Sequence, residues 1–362
     1  TLTPTITPTY SGPSSVCGAI SASTTWGPWS SPYTVTCDVT VNSGVTLNIA
    51  PGTIVRFNQN TGLTVNGTLS ALGTASSRIT FTANTASPTP GYWKGIIVGT
   101  SSTGTRFDYA DVSYGGASGN ANISSSAPSL TVTNSTISYS STNGVSASSA
   151  GYVSLGTNSF VGNAGYAAYV SLNGGYIWTR NNTGSSNREN GIALSGSLGR
   201  NTTLHVNPSL PYIIPNNDLT VNGGVTLTVP ASGVVKFDAL GAQLRIYGSL
   251  QVQGTADNPV AFTSIKDDSV GGDTNNDGTA SAPARGDWQD IVVYGQANIA
   301  YAALRYGGRT GYGDDSILYL HDNAVVSVDH ATVSDSFSHG IALNASGSVS
   351  THLTMLASTV QS

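Results

Sequence analysis

The chain repeats itself over most of its length, and this repeat restricts the possible folds more than any other feature. The segment DVTVNSGVTLNIAPGTIVRF (38–57) matches DLTVNGGVTLTVPASGVVKF (218–237) without a gap. Four further matches follow in the same order: NGTLSALGTASSRITFTA (66–83) with YGSLQVQGTADNPVAFTS (247–264), GYWKGIIVG (91–99) with GDWQDIVVY (286–294), FDYADVSYGG (107–116) with IAYAALRYGG (299–308), and LTVTNSTISYSSTNGV (130–145) with VSVDHATVSDSFSHGI (326–341). The sequence therefore predicts one module that is used twice.

Within each module, short runs of alternating apolar and polar residues predict β-strands. In the first copy, Val39, Val41, Val45 and Leu47 alternate with polar residues, and Gly, Asn or Pro-Gly soon ends each run. This pattern is typical of strands of roughly 4–6 residues separated by tight turns. Strong helix formers are scarce, since Glu and Met each occur once in 362 residues. We therefore predict an all-β protein.

The even spacing of the strands is compatible with a sandwich, a barrel or a solenoid. Two features favour the solenoid. Related phrases, such as TISYSSTNGV and SFVGNAGYAAYV, recur inside a module at spacings of about 20–25 residues. The predicted core positions are also small or β-branched, which suits similar strands that stack about 4.8 Å apart.

The repeated phrases VTVNSGVTLNIAPGTIVRF, LTVNGTLSALGTASSRITFTA, GYWKGI and DYADVSYGG resemble secreted right-handed parallel β-helix repeat proteins, which share the pectin-lyase-like fold. The resemblance covers about residues 30–362. It implies an all-β, right-handed parallel β-helix of roughly 14–16 coils, built from two tandem copies of one module. Proteins with this fold include adhesins, surface-layer components and carbohydrate-active enzymes, so the resemblance specifies a fold more closely than a function.

Three segments follow from these patterns. Residues 1–13 read as a Thr/Pro-rich leader, residues 14–190 as β-helix module 1, and residues 191–362 as β-helix module 2. Because the open end of a solenoid exposes a sheet edge that invites pairing, we expect an N-terminal cap at residues 14–37.

The two cysteines of the chain, Cys17 and Cys37, lie close together at this cap. We predict a disulfide between them, and the alternative is a pair of buried free thiols. A disulfide suits an oxidising compartment. The opening TLTPTITPTYSGP lacks an initiator Met and is typical of a processed secreted chain. We therefore expect a secreted, extracellular or cell-surface protein.

Charge and hydropathy exclude two classes of partner. Only 9% of the residues are charged, the net charge is −5, and Lys and Arg form no cluster, so we expect no nucleic-acid partner. No apolar run approaches the roughly 20 residues that a membrane-spanning helix needs. The expected partners are further copies of the same chain, end to end or through the leader, with a polysaccharide as the alternative.

The stretch DDSVGGDTNNDG (267–278) predicts a calcium site. Asp273, Asn275 and Asp277 have the i, i+2, i+4 spacing of the first half of a calcium-loop motif, followed by Gly278. This motif ends with a bidentate Glu at its twelfth position, where this chain has Ala284. Another carboxylate would have to replace it, and the candidates are Asp267, Asp268, Asp287 and Asp290. An unliganded polar loop is the alternative. Module 1 has the shorter NTASPTP (84–90) at this place, so the fold does not need the loop.

A catalytic centre has only weak candidates. Asp314 and Asp315 precede His339 by about one coil, which places two carboxylates near an imidazole, as acid–base hydrolysis would require. However, no Arg or Lys follows His339, and module 1 has Asn143 at the matching position. We therefore expect a solvated turn and no enzyme activity.

Three functions from different classes fit the sequence. The first is a structural extracellular β-helical surface rod that self-assembles into a filament or surface polymer. The second is a β-helix that binds or cleaves a polysaccharide; exposed rows of Thr and Tyr could bind sugars, although such rows also pack solenoids. The third is a calcium-dependent adhesin. We favour the structural protein.

Overall fold

A computed structural model describes residues 12–149, 151–309, 315–344 and 350–361. Most of the predicted leader lies outside these residues. The described chain is almost entirely β-structure, with short 3-10 turns at Pro28–Ser30 and Ala117–Gly119. Within these ranges, no helix is both long and apolar enough to cross a bilayer.

The strands are short and follow one another at close intervals. In chain order they are β1 (Ser14–Ile20), β2 (Thr24–Trp26), β3 (Tyr33–Val41), β4 (Thr46–Ile49), β5 (Ile54–Phe57), β6 (Leu63–Val65), β7 (Thr68–Leu72), β8 (Ile79–Ala83), β9 (Ile96–Val98), β10 (Thr105–Asp108), β11 (Ala110–Ser113), β12 (Ile123–Ser125), β13 (Ser129–Thr133), β14 (Thr136–Ser138), β15 (Val145–Ser149), β16 (Tyr152–Gly156), β17 (Ser159–Val161) and β18 (Tyr166–Arg180). They continue as β19 (Thr183–Ser185), β20 (Glu189–Leu198), β21 (Thr202–Thr203), β22 (Tyr212–Ile214), β23 (Leu219–Val221), β24 (Thr226–Pro230), β25 (Val234–Phe237), β26 (Gln243–Ile246), β27 (Ser249–Gln253), β28 (Val260–Ser264), β29 (Asp290–Val293), β30 (Gln296–Ala300), β31 (Ala302–Arg305), β32 (Ser316–Leu320), β33 (Val325–Asp329), β34 (Thr332–Ser334), β35 (His339–Leu343), β36 (His352–Leu356) and β37 (Thr359–Val360).

The chain divides into two compact units. Unit 1 contains residues 12–146 and Val161–Gly165, and unit 2 contains Ala147–Phe160 and residues 166–361. The predicted modules instead meet at 190/191, and their boundaries stay a prediction.

Each unit is a parallel β-solenoid with three strands per coil. In unit 1, ladder 1 is β2-β4-β7-β10-β13, ladder 2 is β3-β5-β8-β11-β14, and ladder 3 is β3-β6-β9-β12. In unit 2, ladder 1 is β21-β24-β27-β30-β33-β36, ladder 2 is β20-β22-β25-β28-β31-β34-β37, and ladder 3 is β20-β23-β26-β29-β32-β35. The prediction of an all-β, right-handed parallel β-helix is confirmed, with about 14 turns.

The alternation along each strand produces the core. Val55 and Val235 are buried and pair in register with the buried Phe81 and Phe262 of the next coil. Along each strand, the residue between two inward-facing residues faces outward because successive side chains of a strand point to opposite faces. Because successive coils keep the same register, inward-facing apolar side chains stack on one another in the core.

Aromatic pairs close the core at matching places in the repeat. Phe57 stacks on Trp93 and Phe237 stacks on Trp288, each with ring centroids 3.9 Å apart. Both indole Nε1–H groups donate to backbone carbonyls, so neither buried polar group is left without a partner.

The N-terminal strand is tied to the next coil by a disulfide. β1 pairs with β3, and Cys17 is bonded to Cys37 across this pair. The predicted disulfide is therefore confirmed.

Candidate metal centre

The acidic stretch lies in a long loop at one corner of unit 2. This loop (265–289) connects β28 of ladder 2 to β29 of ladder 3, and the corresponding connection in unit 1, between β8 and β9, is residues 84–95. The pairing of β28 with β31 and of β29 with β32 continues on either side of the loop. The loop is thus an addition to one corner and leaves the coil stacking unchanged.

The loop folds back over the outer face of ladder 2. The Nζ of Lys236, in β25, donates to the carbonyl oxygens of Asp267 at 2.9 Å and Gly272 at 2.8 Å. Further along, the carbonyl oxygen of Thr274 accepts the backbone amide of Asn190, at the start of β20, at 2.6 Å. The loop therefore reaches from β28 across β25 to β20, and Lys236 is fully buried beneath it.

Burial changes the proton affinity of this lysine. Desolvation lowers the pKa of Lys236 to about 8, although the carboxylates of Asp267, Asp268 and Asp273 oppose the change. A buried ammonium is tolerated where acceptors satisfy it, and the two carbonyl oxygens do so here.

The motif residues form a tight turn. The Asp273 carboxylate accepts the backbone N–H groups of Asp277 at 3.1 Å and Gly278 at 2.9 Å. Asn276 and Gly278 have φ of 53° and 69°, the left-handed region that Asn and Gly tolerate best. The motif sequence therefore specifies its own local geometry.

A second set of bonds orients the other two motif side chains. Asn275 Nδ2 donates to Asp277 Oδ2 at 2.8 Å and to Ser281 Oγ at 3.0 Å, and Ser281 Oγ donates to the same Asp277 oxygen at 2.5 Å. With these bonds made, the Oδ1 atoms of Asn275 and Asp277 remain available.

Three buried oxygen atoms of the loop have no hydrogen-bond partner among the described residues: Asp268 Oδ1, Asn275 Oδ1 and Asp277 Oδ1. One carboxylate oxygen from each of Asp268, Asp273 and Asp277 lies within 4.8 Å of the others. Burial raises the pKa of Asp268, and the charges of Asp273 and Asp277 raise it further. Carboxylate and amide oxygens are the ligands that Ca²⁺ prefers, and a cation held between the three carboxylates would offset their negative charges. The residues present fit calcium.

Of the four candidates for the missing twelfth-position carboxylate, the structure brings Asp268 to the motif. The other three carboxylates have protein partners. Asp267 accepts Arg305 Nη2 and Thr263 Oγ1, and Asp287 accepts Lys266 Nζ and Ser264 Oγ. The remaining candidate, Asp290, accepts the side-chain amide of Gln243 and is fully buried.

The polar contacts of Asp267 oppose the effect of burial on its pKa. Burial alone would raise the pKa of Asp267, but hydrogen bonds from Ser269 and Thr263 and the charge of Arg305 lower it below its usual value. Asp267 therefore anchors the base of the loop to β31.

The catalytic candidates are not joined into an acid–base pair by any described contact. His339 donates its backbone N–H to the carbonyl oxygen of Asp315 at 3.0 Å, and its Nδ1 lies 3.1 Å from the same oxygen. Asp315 Oδ1 is buried without a partner among the described residues. Asp314 lies outside the described residues. The contact between these two coils thus uses the backbone of Asp315.

Lys236 was missed by sequence reasoning. Its counterpart in the repeat is Arg56, which is exposed, so the alignment indicates an outward-facing cation in both copies. The burial of Lys236 could have been predicted only from the position of the long insertion, and the sequence does not show that the insertion covers β25.

Residues 18–158 match a family model described as a pectate-lyase like beta helix domain. Comparisons with curated proteins and with solved structures found no match. The fold of the matched family, a beta helix, agrees with the three parallel ladders of the structure. The chain is accordingly a right-handed parallel β-helix protein.

Proposed function

We propose that the protein is a structural β-helix of the cell exterior, not an enzyme, in which one calcium ion holds the loop 265–289 against ladder 2 of unit 2. The observation that carries this proposal is the convergence of one carboxylate oxygen from each of Asp268, Asp273 and Asp277 within 4.8 Å. In the same loop, the Oδ1 atoms of Asp268, Asn275 and Asp277 are buried without a hydrogen-bond partner among the described residues. A buried acceptor without a partner costs about 1–3 kcal/mol, so three together favour a bound cation.

The connections of the loop give this ion a mechanical role. The loop holds Lys236 of β25 through two carbonyls, and it bonds to Asn190 of β20 through Thr274. An ion that fixes the loop therefore ties together strands of different coils, in addition to their ladder hydrogen bonds and core packing. Stiffening of this kind is useful in a structural protein.

The use of charge supports a structural role over a catalytic one. Asp267 pairs with Arg305, Asp218 with Arg245 and Asp111 with Arg78, each between different coils of one unit. In a chain with only 9% charged residues, many of the described carboxylates thus hold coils together.

We also propose that copies of the chain assemble into a filament or surface polymer. Ladder 1 of unit 2 offers a six-stranded parallel sheet whose outward positions are mostly uncharged, such as Thr228, Gln251, Asn298 and Ser327. Two such faces can approach without charge repulsion. The disulfide between Cys17 and Cys37 and the millimolar calcium typical of extracellular sites suit a location outside the cell.

Calorimetric titration with CaCl₂ tests the calcium site. We expect one ion per chain and a higher melting temperature with calcium than with chelator. Asp277→Asn should abolish both effects, whereas Asp257→Asn, at an exposed turn of unit 2, should leave them unchanged. Wild-type protein that binds no calcium would refute the proposal.

Assembly has a separate test. Light scattering and negative-stain microscopy of the native protein should reveal particles larger than one chain at micromolar concentration. A strictly monomeric protein under these conditions would contradict self-assembly without affecting the calcium site. Release of sugars from pectin or alginate would contradict the non-enzymatic role.

A further inference from the structure

A stack of aromatic rings lies on a different corner of unit 2, between ladder 3 and ladder 1. Tyr247, Tyr294 and His321 each follow a strand of ladder 3, in three successive coils. The Tyr247 and Tyr294 rings lie 4.5 Å apart at an interplanar angle of 4°, and the Tyr294 and His321 rings lie 4.6 Å apart. Tyr294 is therefore covered on both faces, and the two outer rings each have one face in the stack.

Tyr247 is the end of this stack, and it is 48% exposed. Asn222 occupies the same corner in the preceding coil, followed by Gly223 and Gly224. A methyl group added at either glycine would meet nothing within 4 Å. Among the described residues, no ring other than that of Tyr294 stacks on Tyr247. Tyr247 thus has one ring face outside the stack, on the side of the coil that carries Asn222 and the two glycines.

The fold does not require this stack. In the repeat, the positions of Tyr247, Tyr294 and His321 are occupied in unit 1 by Asn66, Gly99 and Ser126. The backbone bond at each corner is the same, from Asn66 N to Val41 O and from Tyr247 N to Val221 O. The corner therefore forms without aromatic residues, and the stack is an addition to the second copy.

A cavity of about 320 Å³ adjoins the open ring, with a lining that contains no charged residue. Besides Tyr247, its polar side chains are those of Thr226, Ser249 and Gln296, which stand in register on three successive strands of ladder 1. This volume is at the lower end of the roughly 300–1,000 Å³ of small-molecule sites.

We infer that Tyr247 and this cavity bind a neutral oligosaccharide. A sugar ring presents C–H groups on its face and hydroxyl groups around its rim. The negative face of an aromatic ring attracts the weakly positive C–H groups. Hydroxyl and amide side chains beside the ring can exchange hydrogen bonds with the rim. The uncharged lining disfavours nucleic acids, phosphorylated ligands and acidic polysaccharides, which need cationic partners.

The site is independent of the calcium loop. The loop crosses ladder 2, whereas the ring stack and cavity lie at the corner between ladder 3 and ladder 1. Oligosaccharide binding at Tyr247 should therefore persist in chelator. The calcium site and the oligosaccharide site can thus be tested separately, and a negative result for one does not affect the other.

The test is calorimetric or NMR titration of the whole protein with neutral hexasaccharides of glucose, mannose, xylose and N-acetylglucosamine, and with hexagalacturonate as the acidic probe. We expect at least one neutral probe to bind and the acidic probe not to bind. Tyr247→Asn, which introduces the residue that unit 1 has at this corner, should weaken binding about tenfold or more. Tyr247→Phe keeps the ring face and should retain most of the affinity.

Tyr301→Asn is the matched control. Tyr301 stacks on His330 with centroids 4.6 Å apart, but at the corner between ladders 1 and 2. This variant should bind the neutral probe like the wild type. Equal affinity of Tyr247→Asn and the wild type would overturn the inference, as would the failure of every neutral probe to bind at millimolar concentration. Tighter binding of hexagalacturonate than of any neutral probe would also overturn it.

Discussion

The backbone amide of Asn190 donates a hydrogen bond to the carbonyl oxygen of Thr274 at 2.6 Å. Asn190 is in β20, and Thr274 lies between the first two motif residues of the calcium loop. Thr274 is itself fully buried. The bond is thus a direct connection between the proposed metal centre and the coils that precede it.

This connection predicts that calcium controls exchange of the Asn190 amide. Removing calcium leaves Asp268, Asp273 and Asp277 to repel one another, so the loop should open more often. We expect the protection of the Asn190 amide, measured by NMR hydrogen exchange, to fall about tenfold or more in chelator. The amide of Ile192, which bonds to Pro211 within ladder 2, should change little. Equal protection at Asn190 with and without calcium would contradict the coupling.

A second prediction concerns the lysine beneath the loop. Lys236→Met removes both hydrogen bonds from Nζ to the carbonyls of Asp267 and Gly272 and should lower the free energy of unfolding by about 1–3 kcal/mol. Arg56→Met, at the exposed counterpart in unit 1, should change it by less than about 0.5 kcal/mol. Urea denaturation of the two variants measures the difference. A similar loss of unfolding free energy in both would show that the hydrogen bonds between Lys236 and the loop do not contribute to stability.

The lowered pKa of Lys236 predicts a pH dependence. Burial lowers this pKa from 10.5 to about 8 in the folded protein, so between these values the unfolded chain binds more protons than the folded one. Stability should therefore rise as the pH increases from about 8 towards 10.5. The measurement is urea denaturation in chelator at several pH values. The part of the rise that comes from Lys236 should be missing in Lys236→Met, and parallel curves for both proteins would contradict this origin.

The disulfide predicts a local effect on the first strand. Replacing both Cys17 and Cys37 with Ala removes a link between residues separated by 20 positions, which should cost about 2–4 kcal/mol where β1 detaches. Hydrogen exchange should accelerate in β1, whereas β8 should keep its protection. A thiol reductant should reproduce the effect in the wild type and have none on the double variant. Acceleration of similar size throughout unit 1 would contradict a local role.

Local sequence patterns predicted most of the fold. The alternation around Val39 and Val41 identified inward-facing positions, and the duplication placed Trp93 and Trp288 at matching sites. These predictions succeed because every coil repeats the same local choice of strand and turn. The same reasoning identified the DTNNDG motif, whose turn depends only on its own residues.

Long-range placement could not be predicted in this way. Asp267, Asp268, Asp287 and Asp290 are equally plausible ligands in sequence, and only the path of the loop distinguishes Asp268. The docking of Thr274 on Asn190 joins residues that share no sequence pattern. The aromatic stack of unit 2 could not be predicted from the sequence either, because its three rings belong to three different coils.

The insertion between β28 and β29 has a practical consequence. The neighbouring strand pairs keep their registers around it, so a corner after ladder 2 tolerates a long added segment. The equivalent corner between β8 and β9 is a natural place to graft a foreign peptide for display. A scaffold of this kind would carry its cargo on the outside of a coil while the stacked interior stayed as it is.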